Sequence, residues 1–246
     1  GFGGVEGFVH LAAVVGVVEA RREPLRAVGV NVLGTANVLE AAVRLGARRF
    51  VYASSAAVYG SLEPPLREDL EPRPLGLYGE TKLAGERLLW GYSREYGLSV
   101  VALRYFNVYG PGMRPGPYSG VVLRFIEALL AGGVPVVYGD GLQTRDFVYV
   151  GDVAEANLRA LESRYVGPVN VGTGRETSIL ELYRLLCRIT RPKGGCPEPR
   201  FEPPRPGDVR RSAADTSLAE RELGWKAGTS LEEGLRKTVE YYRSII

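Results

Sequence analysis

Tyr78 and Lys82, in the segment Tyr78-Gly-Glu-Thr-Lys82, and the earlier serine pair Ser54-Ser55 are the residues of this chain best suited to chemistry. Four residues apart on a helix, the tyrosine and the lysine share a face and their side chains can meet. A free phenol, with a pKa of about 10, is a poor base at neutral pH. A nearby ammonium favours the phenolate and lowers that pKa. A serine hydroxyl in reach can hold a substrate oxygen or relay its proton. Together the three groups can take a proton from an alcohol while a hydride leaves the same carbon. No side chain accepts a hydride, so this chemistry calls for a nicotinamide cofactor. Tyr-x-x-x-Lys is a common accident on its own, and the surrounding elements must decide its meaning.

Those elements alternate between strand and helix over the first two-thirds of the chain, the pattern of a parallel sheet covered on both faces. Phe8 to Ala13 reads as a buried strand, and Pro24 to Leu45 as a long helix with Val30, Leu33, Val38 and Leu39 in its apolar stripe. Arg49 to Ser55 reads as the next strand, ending at the serine pair. Residues 61–76, rich in proline and acid, form a loop. Leu77 to Tyr96 is the helix carrying Tyr78 and Lys82, and Leu98 to Tyr105 is a further strand. The Gly/Pro-rich stretch from Asn107 cannot be helical. Beyond it the pattern predicts a helix over Gly120–Leu130 and strands at Pro135–Tyr138 and Asp146–Val150. Capping boxes are expected at Asp152–Glu155 and Ser178–Glu181, with two short helices at the end. The fold class is α/β: residues 1–118 as a Rossmann-like, doubly wound unit, and 119–246 mostly as a smaller substrate lobe with segments returning to the sheet.

Composition excludes several alternatives. The 246 residues are 45% hydrophobic and 24% charged, and the net charge of +3 is spread without a basic run, which points away from nucleic acid. No apolar stretch is long enough to span a bilayer and no signal-peptide pattern opens the chain, so the cytoplasm is the expected compartment. A single histidine, His10, leaves no His-based metal site or Ser-His-Asp triad. Cys187 and Cys196 fit neither a metal site nor a disulfide framework. Cys187 sits in an apolar helical stripe, and Cys196 has no assigned role. Arginine outnumbers lysine 27 to 4, and glutamine and methionine occur once each, a thermophile-like balance that GC-rich coding would also give.

A strand, the serine pair, Tyr-x-x-x-Lys, Leu-Arg-Tyr-Phe-Asn and a late Arg-x-Gly-Asp follow one another in this order. In that sequence of motifs the chain resembles the extended short-chain dehydrogenase/reductases, and among them the nucleotide-sugar epimerases of the UDP-glucose 4-epimerase type. The resemblance implies that Ser55, Tyr78 and Lys82 are catalytic, with Tyr78 as base and Lys82 also binding the nicotinamide ribose of NAD. It implies further cofactor contacts at Leu11, Ala12, Ala13, Asn31, Ser54 and Tyr105; on chemistry alone, Asn31 is as well read as a buried polar cap. For a UDP-sugar substrate it implies Asn107, Val121, Val122, Tyr138, Arg145, Arg205, Asp208 and Ser212. Arg145 and Arg205 would grip the diphosphate, a task suited to bidentate guanidinium groups. Tyr138 would lie beside the uracil, its other reading being strand packing.

Two departures narrow the activity. Where the family's dehydratases carry Asp-Glu after the active-site hydroxyl, this chain has Ala56-Ala57, and its decarboxylases carry glutamate at the Ala57 position. Elimination needs an added acid and base, so C4 epimerisation is favoured. Ser212, at the family's gatekeeper position, leaves room for an N-acetyl group. The family's opening Gly-x-x-Gly-x-x-Gly turn has no counterpart, and Gly1–Gly7 reads as a loop before a mid-sheet strand. About two βα units, roughly 60 residues, are expected to be missing from the front, along with the residue that selects NAD over NADP. The family also implies a homodimer through helices 24–45 and 77–96. Other sugar-nucleotide oxidoreductases of this fold, and a non-catalytic binding module, remain as competing readings.

Overall fold

Strand alternation sets the architecture. In β2 (Arg49–Ser55), Phe50 and Tyr52 turn to one face and Val51 to the other. In β3 (Ser99–Tyr105), Val100 and Ala102 share the first face, and Val101 and Leu103 the second. Period-two strands that are apolar on both faces must be covered on both, which is the doubly wound arrangement. The computed structural model describes residues 5–116, 119–191, 195–205 and 207–245, so the opening glycines 1–4 lie outside it.

The central sheet is parallel and runs β1 (Gly7–His10), β2, β3, β8 (Gly167–Val171). One face is packed by a helical run, α1 (Val17–Arg22), α2 (Pro24–Val28), a π-helical turn Gly29–Leu33 and α3 (Gly34–Arg44), together with α4 (Leu77–Tyr96). Leu39, Ala42 and Leu89 from these helices meet Phe50, Tyr52 and Val100 there. The opposite face is covered by α6 (Val150–Glu162) and α8 (Ser217–Leu223), with Val153, Ala156, Ala160 and Trp225 against Val51, Val101 and Val169. A separate core joins α5 (Val121–Leu130), α7 (Ile179–Thr190) and α9 (Leu231–Arg243) around Leu123, Ile126, Leu182, Leu186 and Leu235. Two-stranded pairings lie outside the sheet: β4 (Asn107–Tyr109) with β7 (Phe147–Tyr149), β5 (Val136–Tyr138) with β10 (Arg200–Glu202), and β6 (Thr144–Arg145) with β9 (Thr177–Ser178).

The bounds of β2 and α4 match the sequence expectation, and α4 ends where Gly97 adopts a left-handed conformation. Several expectations need correction. The first strand stops at His10, because the next segment is drawn off the sheet: the Val14 N–H donates to Asn31 Oδ1 at 2.7 Å, and Asn31 Nδ2 donates to the Val14 carbonyl at 3.0 Å. Among the described residues β1 pairs with β2 alone. The helix over 24–44 is interrupted by the π turn, and α1 was not expected. Asp152 makes no capping box; α6 begins at Val150, and the Asp152 carboxylate accepts from the backbone N–H and hydroxyl of Thr229, both at 3.0 Å. The box at Ser178 and Glu181 is present. Cys187 and Cys196 form a disulfide, which closes the loop after α7 onto that helix. The Tyr183 hydroxyl, bonded to the Pro197 carbonyl, fastens the same loop a second time.

Candidate active site

Parallel pairing aligns Ser55 with Tyr105 at the carboxyl ends of β2 and β3, the place where open α/β sheets bind ligands. Ser55 opens a tight turn, Ala56–Tyr59, by accepting the Ala57 N–H at 3.2 Å. The first turn of α4 then packs directly on that turn. A Cβ on Gly79 would stand 2.6 Å from the Ala57 carbonyl oxygen, so only glycine lets the helix come this close. The approach brings Tyr78 beside Ser55, whose hydroxyl favours the phenolate. Lys82, one helical turn on, donates to the Ala53 carbonyl at 2.8 Å.

Burial dominates the electrostatics of this trio. It pushes the Tyr78 phenol above its ordinary value, and the nearby Ser55 hydroxyl pulls it only partly back. It pushes Lys82 down to about 8. The expected lowering of the Tyr78 pKa is outweighed by burial, which also shifts Lys82 toward its neutral form.

A cleft of about 710 Å³ opens at Ser55, lined also by Ala56, Ala57, Gly79, Tyr105, Asn107, Arg145, Asp208 and Ser212, with Tyr78 and Lys82 behind its wall. Arg145 is fixed by three acceptors: the carbonyls of Thr144 at 2.6 Å and Val209 at 2.7 Å, and the Asp208 carboxylate. Its neighbour Asp146 is fully buried and anchors the strand by accepting from the N–H groups of Thr173, Gly174 and Ala214. A second cleft, sharing Asp208 and Val209 with the first, contains Tyr138 and Arg205. There the Arg205 guanidinium sits 3.9 Å from the centre of the Tyr138 ring, a cation–π contact.

The remaining expected residues fall into two groups. Leu11 and Ala12 are exposed beyond the end of β1, with Ala13 half-buried beside them. Asn31, in the π turn and buried, ties this segment to α4 through a bond from Nδ2 to the Thr81 hydroxyl at 3.0 Å, as the buried-cap reading expects. Ser54, in contrast, is buried with its hydroxyl donating to Glu86 at 2.5 Å. Val122 points into the core with α7 and α9, and Val121 packs at its edge; neither lines the clefts. Arg21 and Val17 of α1 do line the larger cleft. Sequence reading missed them because a six-residue helix is too short to show periodicity.

The donor set fits a nicotinamide dinucleotide. Lys82 uses one of its three N–H donors on Ala53, leaving two for ribose hydroxyls, and the open backbone of Leu11–Ala13 lies at the sheet's ligand-binding edge. Among the described residues no cluster of His, Cys, Asp or Glu is placed to hold a metal ion. No helix among them is long and apolar enough to cross a membrane.

Comparison with known proteins agrees with this geometry. Residues 2–172 match the epimerase family described as the NAD dependent epimerase/dehydratase family. The chain is 42% identical over 238 residues to the UDP-glucose 4-epimerase of Mycolicibacterium smegmatis, covering 96% of this chain and 75% of that enzyme. The UDP-glucose 4-epimerase of Thermotoga maritima, solved with UDP-glucose, has a TM-score of 0.93 at 42% identity and covers 98% of this chain and 78% of that one. Similarity extends to other sugar chemistry: a UDP-N-acetyl-alpha-D-glucosaminuronate decarboxylase of Bacillus cytotoxicus is 35% identical over 250 residues, covering 96% of this chain and 76% of that enzyme. The chain belongs to the NAD dependent epimerase/dehydratase family and, within it, is similar to isomerases named UDP-glucose 4-epimerase.

Proposed function

We propose that this protein interconverts UDP-glucose and UDP-galactose by reversible oxidation at C4. The observation that carries the reading is Ser55 at the wall of a cleft that also holds Arg145 and Asp208, with Tyr78 and Lys82 packed behind it on one stripe of α4. Ser55 and Tyr78 hold the sugar 4-hydroxyl. Tyr78 removes its proton, with the Lys82 ammonium stabilising the phenolate. Bound NAD supplies the carbon that accepts the hydride and returns it. The 4-keto sugar turns within the cleft, and Tyr78 gives the proton back to the same oxygen on the other epimer. Arg145 and Arg205 hold the diphosphate, Tyr138 lies by the uracil, and Asp208 binds a ribose hydroxyl. None of these contacts depends on which sugar face is presented, so the sugar can rotate while the nucleotide stays bound.

Ala56 and Ala57 at the cleft wall argue against dehydration and decarboxylation, since neither methyl group can move a proton. Ser212, small and lining the cleft, supports acceptance of UDP-N-acetylglucosamine and its galacto epimer. Residues from 119 onward form mostly the substrate lobe, with β8 returning to the sheet. A cytoplasmic enzyme carrying the Cys187–Cys196 bond suits a hyperthermophile, where intracellular disulfides are common. The exposed Leu25, Val28 and Leu33 on the helical run 24–44 suit a homodimer formed with α4, and a monomer by light scattering would contradict that. The activity itself is tested by supplying UDP-galactose and NAD⁺ and following UDP-glucose. Its formation is the expected result, and conversion of uronate sugars alone would replace this reading.

A further inference from the structure

Tyr78, Lys82 and Glu86 follow at four-residue intervals on one stripe of α4, and the third member lies two turns from Tyr78, deep under the sheet ends. Glu86 is 1% exposed. Its Oε1 accepts the Ser54 hydroxyl at 2.5 Å and Arg104 Nε at 3.0 Å, and its Oε2 accepts the other arm of the Arg104 fork at 2.8 Å. Arg104 donates onward to the Tyr59 hydroxyl at 3.0 Å, which donates to Asn170 Oδ1 at 2.7 Å. Each partner adjoins part of the site. Ser54 precedes Ser55, Arg104 precedes Tyr105, and Tyr59 closes the turn that starts at Ala56. One carboxylate therefore joins α4 to the ends of β2 and β3 directly, and through Arg104 to the turn.

A buried ion pair gains little net stability, because desolvation of both charges offsets their attraction. What a bidentate fork supplies is direction and distance. We infer that Glu86 is a positioning residue, which holds the Ser55 hydroxyl against Tyr78 by clamping Ser54 and Arg104 to the helix that carries the base. It touches neither substrate nor cofactor and acts through Ser55. Since a misplacement of about 1 Å can cost roughly 100-fold in rate, the clamp belongs to the catalytic geometry.

The inference rests on the proposed epimerase reading, and a double-mutant cycle with UDP-galactose and NAD⁺ separates the two. Glu86→Gln is expected to lower kcat about 30-fold with KM within about twofold. In a Ser55→Ala background the same change should cost less than about threefold, because the group that Glu86 positions is already gone. Equal losses in both backgrounds would overturn the inference and make Glu86 a general structural residue. Arg104→Lys keeps the charge and loses the fork, so it serves in the same cycle, with the same expected non-additivity, if Glu86→Gln does not fold. Absence of turnover in the wild-type protein would remove the epimerase reading and this inference with it. Wild-type turnover with an additive cycle would remove only the inference.

Discussion

The ammonium nitrogen of Lys82 lies 6.0 Å from the centre of the Tyr78 ring, one turn along the same helix. Burial pushes the Tyr78 phenol above its ordinary value and the Lys82 ammonium below its own.

That imbalance has a consequence for stability. Lys82 titrates at about 8 in the folded chain against a reference value of 10.5. Between those values the unfolded chain binds the extra proton, so the contribution of Lys82 to stability rises with pH across that window. Below it, the full cost of the buried charge is felt. Lys82→Met should therefore be more stable than wild type at pH 7, by about 3 kcal/mol, with the gap closing toward pH 10.5. Urea unfolding of both proteins at pH 7 and pH 10 checks this, and a gap independent of pH would refute it.

Gly79→Ala places a methyl group against the Ala57 carbonyl oxygen at 2.6 Å and the Pro74 Cβ at 2.8 Å. The backbone must move, and the helix start moves with Tyr78. A fall in kcat of at least about tenfold is expected, with a stability loss of about 1–3 kcal/mol and unchanged far-ultraviolet circular dichroism. Full activity would show that the contact between α4 and the Ser55 turn does not set the site.

Arg145→Ala should act on binding. A hydrogen bond to a charged group is worth about 1.5–3 kcal/mol, so KM for the UDP-sugar should rise roughly 10- to 100-fold with kcat within a few-fold. Calorimetry with UDP alone gives the independent reading, and unchanged UDP affinity would remove Arg145 from the diphosphate site.

The disulfide closes a loop of sequence separation 9, for which chain entropy gives about 2–3 kcal/mol. Cys187→Ala, or reduction of the wild type, should lower the unfolding temperature. A midpoint indifferent to reductant would mean that the bond adds nothing to stability.

How far the sequence reveals the protein depends on the range of each interaction. Arg49–Ser55 and Leu77–Tyr96 are legible because β-branched and aromatic runs, helix formers and a terminal glycine act within each segment. Tyr78 and Lys82 are legible as neighbours because four-residue spacing requires it. Their protonation is not, because burial depends on how β2 and α4 pack. Asp152 looks like a helix cap until Thr229, 77 residues away, claims it. Cys187 and Cys196 look unrelated until the loop after α7 folds back. Glu86 carries no motif that a reader would stop at, and its meaning comes from Ser54 and Arg104 on two different strands.

The most direct test is Tyr78→Phe, which removes one hydroxyl and keeps the ring. With UDP-galactose and NAD⁺, kcat should fall at least about 100-fold, the usual scale for losing a positioned acid–base group, while UDP affinity stays unchanged. Turnover at the wild-type rate would contradict the assignment of Tyr78 as the base.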